Sequence, residues 1–179
     1  MNGLSDAELM EKVAKNSELA FSVLVQRYQD ILLNFFLRSS VSFTDGQDLS
    51  QRTFLRLWRY RRKYRSKGAK FTTFLFMLAR QESIDFFRAE ARRREQEEAL
   101  LQAASELAPT VRAASLSGEA VRRAMGRLTP TLREAVELVV FQDLPYAEAG
   151  AVLGVPLGTV KSRMFNALKR LKELLGHEC

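Results

Sequence analysis

The sequence predicts an all-α protein of two small helical domains joined by a flexible linker, the C-terminal one a helix-turn-helix domain. Three observations lead to this prediction. No proline occurs in the first hundred residues. Apolar side chains recur every three or four residues, the period of helices, and no stretch alternates for long as strands do. Small and polar residues interrupt the pattern after position 103. We expect domains over 1–98 and 118–179, with the linker over 99–117.

The composition is that of a basic globular protein, with 46% apolar residues. Its 28 basic and 21 acidic residues give a net charge of +7, which favours a polyanionic partner, nucleic acid before acidic lipid. The excess lies in residues 1–94, which carry 18 basic and 10 acidic side chains. Cys179 is the only cysteine, so we expect no internal disulfide and a cytoplasmic location. We also expect no signal peptide and no membrane span, which would need ~20 apolar residues.

The first two helices have local signals. Ser5 and Glu8 have the spacing of a capping box, in which each side chain caps the backbone amide of the other, and they predict a helix over 6–15. A second helix over 17–38 is predicted by apolar residues at helical spacing. These residues are Phe21, Leu24, Val25, Tyr28, Ile31, Leu32 and Phe35.

A third helix and a loop follow. Thr44 with Gln47 matches a second capping box, which predicts a helix that extends to about Tyr60. Residues 61–70 are basic, contain a glycine and are predicted to form a loop.

A basic and aromatic block spans the end of this helix and the loop. Residues 52–70, RTFLRLWRYRRKYRSKGAK, contain nine Lys or Arg and no acid. Cations that hold phosphates beside aromatic rings that stack on bases are typical of single-strand nucleic-acid binding. We interpret Phe54 and Leu57 as core residues. For Tyr64, which lies between two cations in the loop, we favour base stacking over a purely structural role.

The fourth helix leads into the linker. Thr72 or Thr73 is expected to cap this helix, which runs past Phe87 into the charged residues 88–98. Small and polar residues over 103–117 then predict the linker.

The C-terminal domain begins with two predicted helices. Ser117 is a candidate cap for a helix over 118–128. Thr129 followed by Pro130 matches an N-cap with proline at the first helical position, which opens a helix to about Gln142.

The last two helices match a helix-turn-helix. They are predicted over 146–153 and 157–175, joined by the tight turn Gly154-Val155-Pro156. Gly150 lies in the first of them, where a close helix crossing requires a small residue. In a helix-turn-helix the second helix enters the major groove of DNA.

The helix over 157–175 has an apolar and a basic side. The side predicted to be buried carries Leu157, Val160, Met164, Leu168, Leu171 and Leu175. The opposite side carries Thr159, Ser162, Asn166, Lys169 and Arg170, flanked by Lys161 and Arg163. Gly158 keeps the first turn thin, so that backbone amides can approach a phosphate. This pattern favours DNA binding; the alternative is a helical hairpin with a solvated basic face.

Residues for catalysis are missing from the sequence. No Cys and His cluster could bind zinc, and no glycine-rich loop could bind a nucleotide. Asp45 and Asp48 are interpreted as acids that stabilise a helix start. His177 is interpreted as a tail residue. We therefore expect no enzyme activity, metal, cofactor or small-molecule substrate.

Three segments together resemble one family. They are DLSQRTFLRLW (48–58), FTTFLFMLARQESIDFFR (71–88) and LTPTLREAVELVVFQDLPYAEAGAVLGVPLGTVKSRMFNALKRL (128–171). In this order and spacing they resemble bacterial RNA polymerase sigma factors of the extracytoplasmic-function class. The resemblance implies that 1–98 is sigma region two and 118–179 is sigma region four, a helix-turn-helix.

The resemblance also implies partners and site residues. The partners are promoter DNA, the RNA polymerase core (the clamp helices of its largest subunit and the flap of the second) and commonly an anti-sigma factor. The positions that match core docking are Asp48, Gln51, Leu55 and Trp58. Those that match recognition and melting of the −10 element are Tyr64, Arg65, Lys67, Arg80, Gln81 and Arg88. Those that match the −35 element are Gly158, Thr159, Lys161, Ser162, Arg163 and Asn166.

The chain departs from the family pattern at three places. The loop over 60–70 is about one residue longer, Gln81 stands where the family often has Asn, and Ala149 with Gly150 replaces a usual Ile-Ala pair. Two alternatives stay open at this point. One is a conventional helix-turn-helix regulator that acts without the polymerase core. The other is an RNA-binding protein or nuclease, and the nuclease is disfavoured by the missing metal-binding carboxylates.

Overall fold

The computed structural model describes residues 3–64, 70–101 and 119–176, and every regular element in these ranges is a helix. The predicted all-α fold is therefore confirmed. Residues 99–101, predicted as the start of the linker, are helical instead. The rest of the predicted linker, the cap Ser117 and the loop residues Arg65 and Lys67 lie outside the described residues.

Four helices form the N-terminal half. They are α1 (Asp6–Ala14), α2 (Glu18–Arg38), α3 (Phe43–Tyr60) and α4 (Phe71–Leu101), with a 3₁₀ turn over Arg61–Lys63 after α3. The capping box of α1 is confirmed. The Glu8 carboxylate accepts the Ser5 backbone N–H at 2.8 Å, and Ser5 Oγ accepts the Glu8 N–H at 3.3 Å.

The predicted starts of α3 and α4 are wrong by two or three residues. Helix α3 begins before Thr44, because the Oγ of Ser42 caps it by accepting the Asp45 backbone N–H at 3.1 Å. Helix α4 begins at Phe71, so Thr72 and Thr73 lie in its first turn. Thr73 is buried and binds a side chain of the C-terminal half instead of capping.

Large side chains fill the core of the N-terminal half. Helix α2 packs on α1 and α3, and α3 packs on α4. The fully buried residues at these contacts include Leu24, Phe36, Leu49, Leu57 and Phe76. Burying each such side chain contributes roughly 1.5–3 kcal/mol relative to leaving it exposed. As predicted, Phe54 and Leu57 belong to this core.

Four further helices form the C-terminal half. They are α5 (Glu119–Gly126), α6 (Pro130–Val136), α7 (Tyr146–Leu153) and α8 (Leu157–Gly176). The predicted start at Thr129 and Pro130 is confirmed. Helix α6 continues as a π-helical turn over Glu137–Phe141, close to the predicted end at Gln142. Such turns carry an extra residue that shifts the helix face.

Two glycines shape the helix-turn-helix. Gly154 ends α7 in the left-handed conformation (φ 67°), which glycine adopts without steric cost. A Cβ on Gly150 would lie 2.9 Å from the backbone oxygen of Val155. Only glycine fits there, which confirms the expected close crossing. Three alanines are also fully buried in this half, namely Ala135, Ala149 and Ala167.

Candidate nucleic-acid interface

The side of α8 predicted to read DNA is open to solvent. Lys161, Ser162 and Asn166 are exposed, and Arg163 is half-buried. Within the described part of the chain no side chain pairs with Lys161, Arg163 or Asn166, while Ser162 Oγ donates to the Thr159 carbonyl at 3.0 Å. Their hydrogen-bonding groups are therefore available to an external partner.

The first turn of α8 is also open. Nothing lies within 4 Å of the position that a Cβ on Gly158 would occupy. This turn is therefore as thin as the sequence predicted, and its backbone amides can be approached from outside.

The predicted apolar stripe of α8 is partly wrong. Leu157 and Leu168 are 43% and 53% exposed, whereas Val160, Met164 and Ala167 are buried. The cause is the position of α6 and α7, which both contact α8 and set its inward direction. The rotation brings Phe165, which is 69% exposed, to the accessible side. The sequence prediction did not include Phe165. Its position next to Asn166, which was assigned to the polar side, could have indicated that it is accessible.

The candidate docking residues share a face of α3. Asp48, Gln51 and Leu55 are exposed, and Leu55 is unusually accessible for a leucine at 66%. Asp48 pairs with Arg52 on the same helix at 2.6 Å. Trp58 is half-buried against Phe21, with ring centroids 5.0 Å apart. Asp48, Gln51 and Leu55 thus form a solvent-exposed surface, and the half-buried Trp58 lies at its C-terminal end.

Tyr64 lies against α4. Its ring is 6.4 Å from the ring of Phe71 and 5.6 Å from that of Phe74, and burial raises the pKa of its hydroxyl. The ring therefore has a packing role in this structure, and base stacking stays a prediction.

The other −10 candidates lie along α4. Gln81 and Arg88 are exposed. Arg80 is half-buried, and its Nη2 lies 3.4 Å from a carboxylate oxygen of Glu134 on α6. This cation thus faces the C-terminal half of the chain.

A buried ion pair joins the two halves. Arg38, at the end of α2, donates from Nε and Nη2 to the two carboxylate oxygens of Glu137, at 2.7 and 2.8 Å. Gln142 donates to the same carboxylate at 2.8 Å. Burial raises the pKa of Glu137, while these hydrogen bonds and the charge of Arg38 oppose the rise. The Arg38 guanidinium also lies over the Phe141 ring, 4.5 Å from its centroid.

Further polar contacts cross the same boundary. Glu148 on α7 accepts a hydrogen bond from Thr73 Oγ1 at 2.8 Å and pairs with Lys70 Nζ at 3.0 Å. Arg133 on α6 donates to Ser40 Oγ at 2.8 Å. The sequence prediction missed these residues because it treated the halves separately. An acid on one half gives no local signal of its distant partner.

Two kinds of site were searched for in the described ranges. No group of three or more His, Cys, Asp or Glu there could hold a metal ion. No helix within 3–64, 70–101 or 119–176 is long and apolar enough to span a membrane.

Comparison with known proteins identifies the two halves. The family "Sigma-70 region 2" matches residues 24–93, and the family "Sigma-70, region 4" matches 118–171. The two matches follow each other in one chain and together cover more than half of it. The chain belongs to the sigma-70 factors, in the extracytoplasmic-function class. It is an alternative sigma factor that directs transcription initiation with RNA polymerase.

Relatives of this sigma factor are similar over nearly its whole length. The "ECF RNA polymerase sigma-E factor" of Haemophilus influenzae is 28% identical, over 94% of each chain. The "RNA polymerase sigma-H factor" of Pseudomonas aeruginosa is also 28% identical, over 95% of this chain and 93% of its own. Sigma factors are non-catalytic regulators of transcription, which agrees with the expectation that this chain is not an enzyme.

Solved structures confirm the fold. The sigma factor RpoE of Bartonella quintana, solved in complex with the anti-sigma factor NepR, is 26% identical with a TM-score of 0.69, over 87% of this chain and 96% of its own. CnrH, solved in complex with the cytosolic domain of CnrY, has a TM-score of 0.74 at 24% identity, over 97% and 99%.

Proposed function

We propose that this sigma factor uses three surfaces for three steps of initiation. The open face of α3 docks on the clamp helices of the polymerase core, α4 with its preceding loop recognises and opens the −10 element, and α8 reads the −35 element. The observation that carries the proposal is the open polar face of α8. Lys161, Arg163 and Asn166 lie there without a partner in the described chain, on the second helix of a helix-turn-helix.

The overall activity is tested by run-off transcription on a library of genomic fragments with purified core enzyme. We expect specific transcripts only with core and sigma factor together, and their start sites define the promoter motif. A gel shift on duplex DNA without the core distinguishes this function from the alternative, a regulator that acts without the polymerase. Tight, specific binding by the chain alone would identify a conventional helix-turn-helix regulator.

Docking on the core is assigned to Asp48, Gln51, Leu55 and Trp58. The support is the shared exposed face of the first three residues. The double variant Asp48→Arg, Gln51→Ala should reduce co-purification with the core and leave the circular dichroism spectrum unchanged.

The matched control for docking is Gln29→Ala with Asp30→Arg, which makes the same chemical changes at exposed positions of α2. If both double variants co-purify with the core to the same extent, α3 is not part of the docking surface.

Opening of the −10 element is assigned to Tyr64, Arg80, Gln81 and Arg88, with Arg65 and Lys67 of the loop. Stacking of one base on an aromatic ring contributes about 1–3 kcal/mol. The Tyr64→Ala holoenzyme should therefore open a duplex promoter slowly, as measured by permanganate footprinting, and use a pre-melted promoter normally.

Tyr64→Leu is the control for packing, because it keeps an apolar contact for Phe71 and Phe74 without a stacking ring. An equal defect of Tyr64→Ala on both templates would show that this residue does not act in strand opening.

The remaining assignments concern organisation and partners. We propose region two over 1–98 and region four over 118–179, joined by the linker that follows α4, with the polymerase flap as a contact of region four. The site of action is the cytoplasm, and the chain has no catalysis of its own. Limited proteolysis tests the division: the first cut should fall in the linker and leave two stable fragments.

An anti-sigma factor is a proposed regulator. The support is the similar fold of the Bartonella quintana sigma factor, which was solved with such a partner. The test is run-off transcription with a candidate anti-sigma protein added before or after the core. Inhibition is expected only when it is added first.

A further inference from the structure

The side chain of Arg61 connects the end of α3 to the end of α1. Its Nε and Nη2 donate to Oδ1 of Asn16, at 3.0 and 2.7 Å. Its Nη1 donates to the Trp58 carbonyl at 2.6 Å, and the guanidinium lies over the Trp58 ring, 4.4 Å from the ring centroid. All three guanidinium nitrogens are therefore engaged within the folded chain.

Asn16 supplies the acceptor from a turn that suits its residue type. It follows α1 with a left-handed backbone (φ 71°), which asparagine adopts more readily than most residues that carry a side chain. Its backbone N–H donates to the Val13 carbonyl at 2.9 Å, which fixes the residue to the end of α1. Arginine has donors only, so the amide oxygen of Asn16 is the group that it can bind.

This contact is better suited to positioning a segment of the chain than to stabilising the fold. Asn16 is exposed and Arg61 is half-buried. Polar contacts at such sites add little to the free energy of unfolding, because water competes for the same groups. A guanidinium is a rigid planar fork, however, and hydrogen bonds in several directions fix its orientation. Loss of the contact should therefore alter the course of the chain after α3 more than it alters stability.

The segment that Arg61 orients leads to Tyr64. The 3₁₀ turn Arg61–Lys63 begins at this arginine, and Tyr64 follows it with an extended backbone (φ −61°, ψ 135°). The Tyr64 ring lies 5.6 Å from the ring of Phe74 on α4. It is thus held from two directions, through Arg61 from α1 and through Phe74 from α4. A binding group that is already in place loses less conformational entropy when its ligand arrives.

We infer that Arg61 is a positioning residue for opening of the −10 element, and that Asn16 is its anchor on α1. Arg61 acts through Tyr64, whose ring it keeps in place for an unstacked base, and not through contact with DNA. The inference rests on the proposed role of Tyr64. It gives α1, which belongs to none of the three proposed surfaces, a part in initiation.

Three variants separate position from charge. Asn16→Gly removes the acceptor and keeps the backbone, because glycine adopts a positive φ without steric cost. Arg61→Lys keeps the charge but lacks the planar fork that makes the contacts. Asn16→Asp retains an oxygen acceptor and should preserve the function. The matched control is Asp143→Gly, which replaces a polar residue at another exposed position with a positive φ (50°).

The contact itself can be followed by fluorescence of the full free chain. Trp58 is the only tryptophan in the sequence, so its emission reports whether the Arg61 guanidinium still covers the ring. Acrylamide quenching should increase in Asn16→Gly, because the ring is less covered, and should stay unchanged in Asn16→Asp and Asp143→Gly.

The functional measurement is permanganate footprinting of the holoenzyme on duplex and pre-melted promoters. Asn16→Gly and Arg61→Lys should open the duplex about fivefold more slowly, the effect of about one lost hydrogen bond, and should use the pre-melted promoter normally. Asn16→Asp should open the duplex at the rate of the unaltered protein. Co-purification with the core should be the same for all variants.

Several results would overturn the inference. One is an equal opening rate for Asn16→Gly and Asp143→Gly, and another is unchanged quenching in Asn16→Gly. A defect of Asn16→Gly on both templates, or reduced co-purification with the core, would show that the contact serves the fold or docking instead. If Arg61→Lys alone opens the duplex normally, the charge of Arg61 matters and its position does not.

The Tyr64→Ala holoenzyme separates this inference from the proposed function. If Asn16→Gly opens the duplex normally while Tyr64→Ala opens it slowly, the role of Tyr64 stands and the inference alone is wrong. If Tyr64→Ala also opens the duplex normally, the proposed role of Tyr64 fails, and the positioning role of Arg61 fails with it.

Discussion

The exposed face of α8 and the proposed DNA face of α4 differ in what they contact within the folded chain. Lys161 and Arg163 on α8 have no partner among the described residues, whereas Arg80 and Lys70 near α4 meet acids of the other half. The α8 face is thus open to an external partner, whereas Arg80 and Lys70 are engaged within the folded chain. A candidate site is therefore better judged by its tertiary neighbours than by its own charge.

The two halves also differ in how they are packed. Aromatic and leucine side chains fill the N-terminal core, including Phe36 and Phe76. Small residues at close approach define the helix-turn-helix, including Gly150 and Ala149. The first half should therefore be most sensitive to lost volume and the second to added volume. The following predictions test this contrast in order of expected effect.

The largest effect is expected from a lost aromatic ring in the N-terminal core. Phe76→Ala should lower the free energy of unfolding by about 3–5 kcal/mol, because the ring is fully buried and its removal leaves a cavity. Urea denaturation followed by circular dichroism measures the loss. Phe43→Ala is the control, since Phe43 is 58% exposed. A similar loss in both variants would contradict the proposed core.

The second largest loss of stability is expected when the ion pair between the halves is broken. Arg38→Met leaves the buried Glu137 carboxylate without its guanidinium and should cost about 3 kcal/mol. Arg52→Met removes an exposed partner of Asp48 and should cost at most about 1 kcal/mol. Urea midpoints of the two variants give the comparison. Equal losses would mean that Arg38 and Glu137 do not hold the halves together.

The third largest loss of stability is expected from added volume in the helix-turn-helix. Gly150→Ala places a methyl group 2.9 Å from a backbone oxygen and should cost about 1–3 kcal/mol. Gly158→Ala meets open space and should stabilise α8 by up to about 1 kcal/mol. Thermal unfolding distinguishes the two. A larger residue at Gly158 should still weaken −35 binding, because it holds the helix away from the backbone of the DNA.

The two cations of α8, Lys161 and Arg163, should have different roles in DNA binding. Arg163→Ala should remove about 1–3 kcal/mol of discrimination at one or two positions of the −35 element, as loss of a bidentate guanine contact would. Lys161→Ala should weaken binding to all sequences and reduce the salt slope by about one unit. Holoenzyme binding to single-base −35 variants at two salt concentrations checks both. Uniform weakening by Arg163→Ala would make Arg163 a phosphate contact only.

The smallest effect concerns pH and the N-terminal half. Burial and a hydrogen bond to Asp6 raise the pKa of the Tyr28 hydroxyl. The folded state therefore holds this proton more tightly than the unfolded state does. Its contribution to stability is complete below about pH 10 and is lost as the pH rises above that value. Tyr28→Phe should flatten the alkaline decline in urea midpoint; an unchanged decline would show that other groups cause it.

Local signals in the sequence predicted the features that depend on neighbouring residues. Ser5 with Glu8, Thr129 with Pro130 and the crossing at Gly150 were found because a cap or a close contact needs a particular residue within a few positions. The start of α3 is an exception: Thr44 with Gln47 has the spacing of a capping box, but Ser42 caps the helix.

Features that depend on distant residues could not be predicted. The inward direction of α8 is set by α6 and α7, so Leu168 was assigned to the core and Phe165 was overlooked. Arg80 and Glu134 are 54 residues apart in the sequence. No periodicity within either helix indicates that they meet. The sequence therefore located the DNA-binding candidates but could not tell which of them is covered.

The π-helical turn that follows α6 has a consequence for hydration. Four consecutive residues, Ala135 to Leu138, are buried there, although a helix that packs on one side alone would expose some of them. The segment is enclosed because both halves cover it, and Glu137 is dehydrated as a result. The desolvation of this carboxylate opposes the attraction of Arg38, so the ion pair holds the halves together by less than its charges alone would.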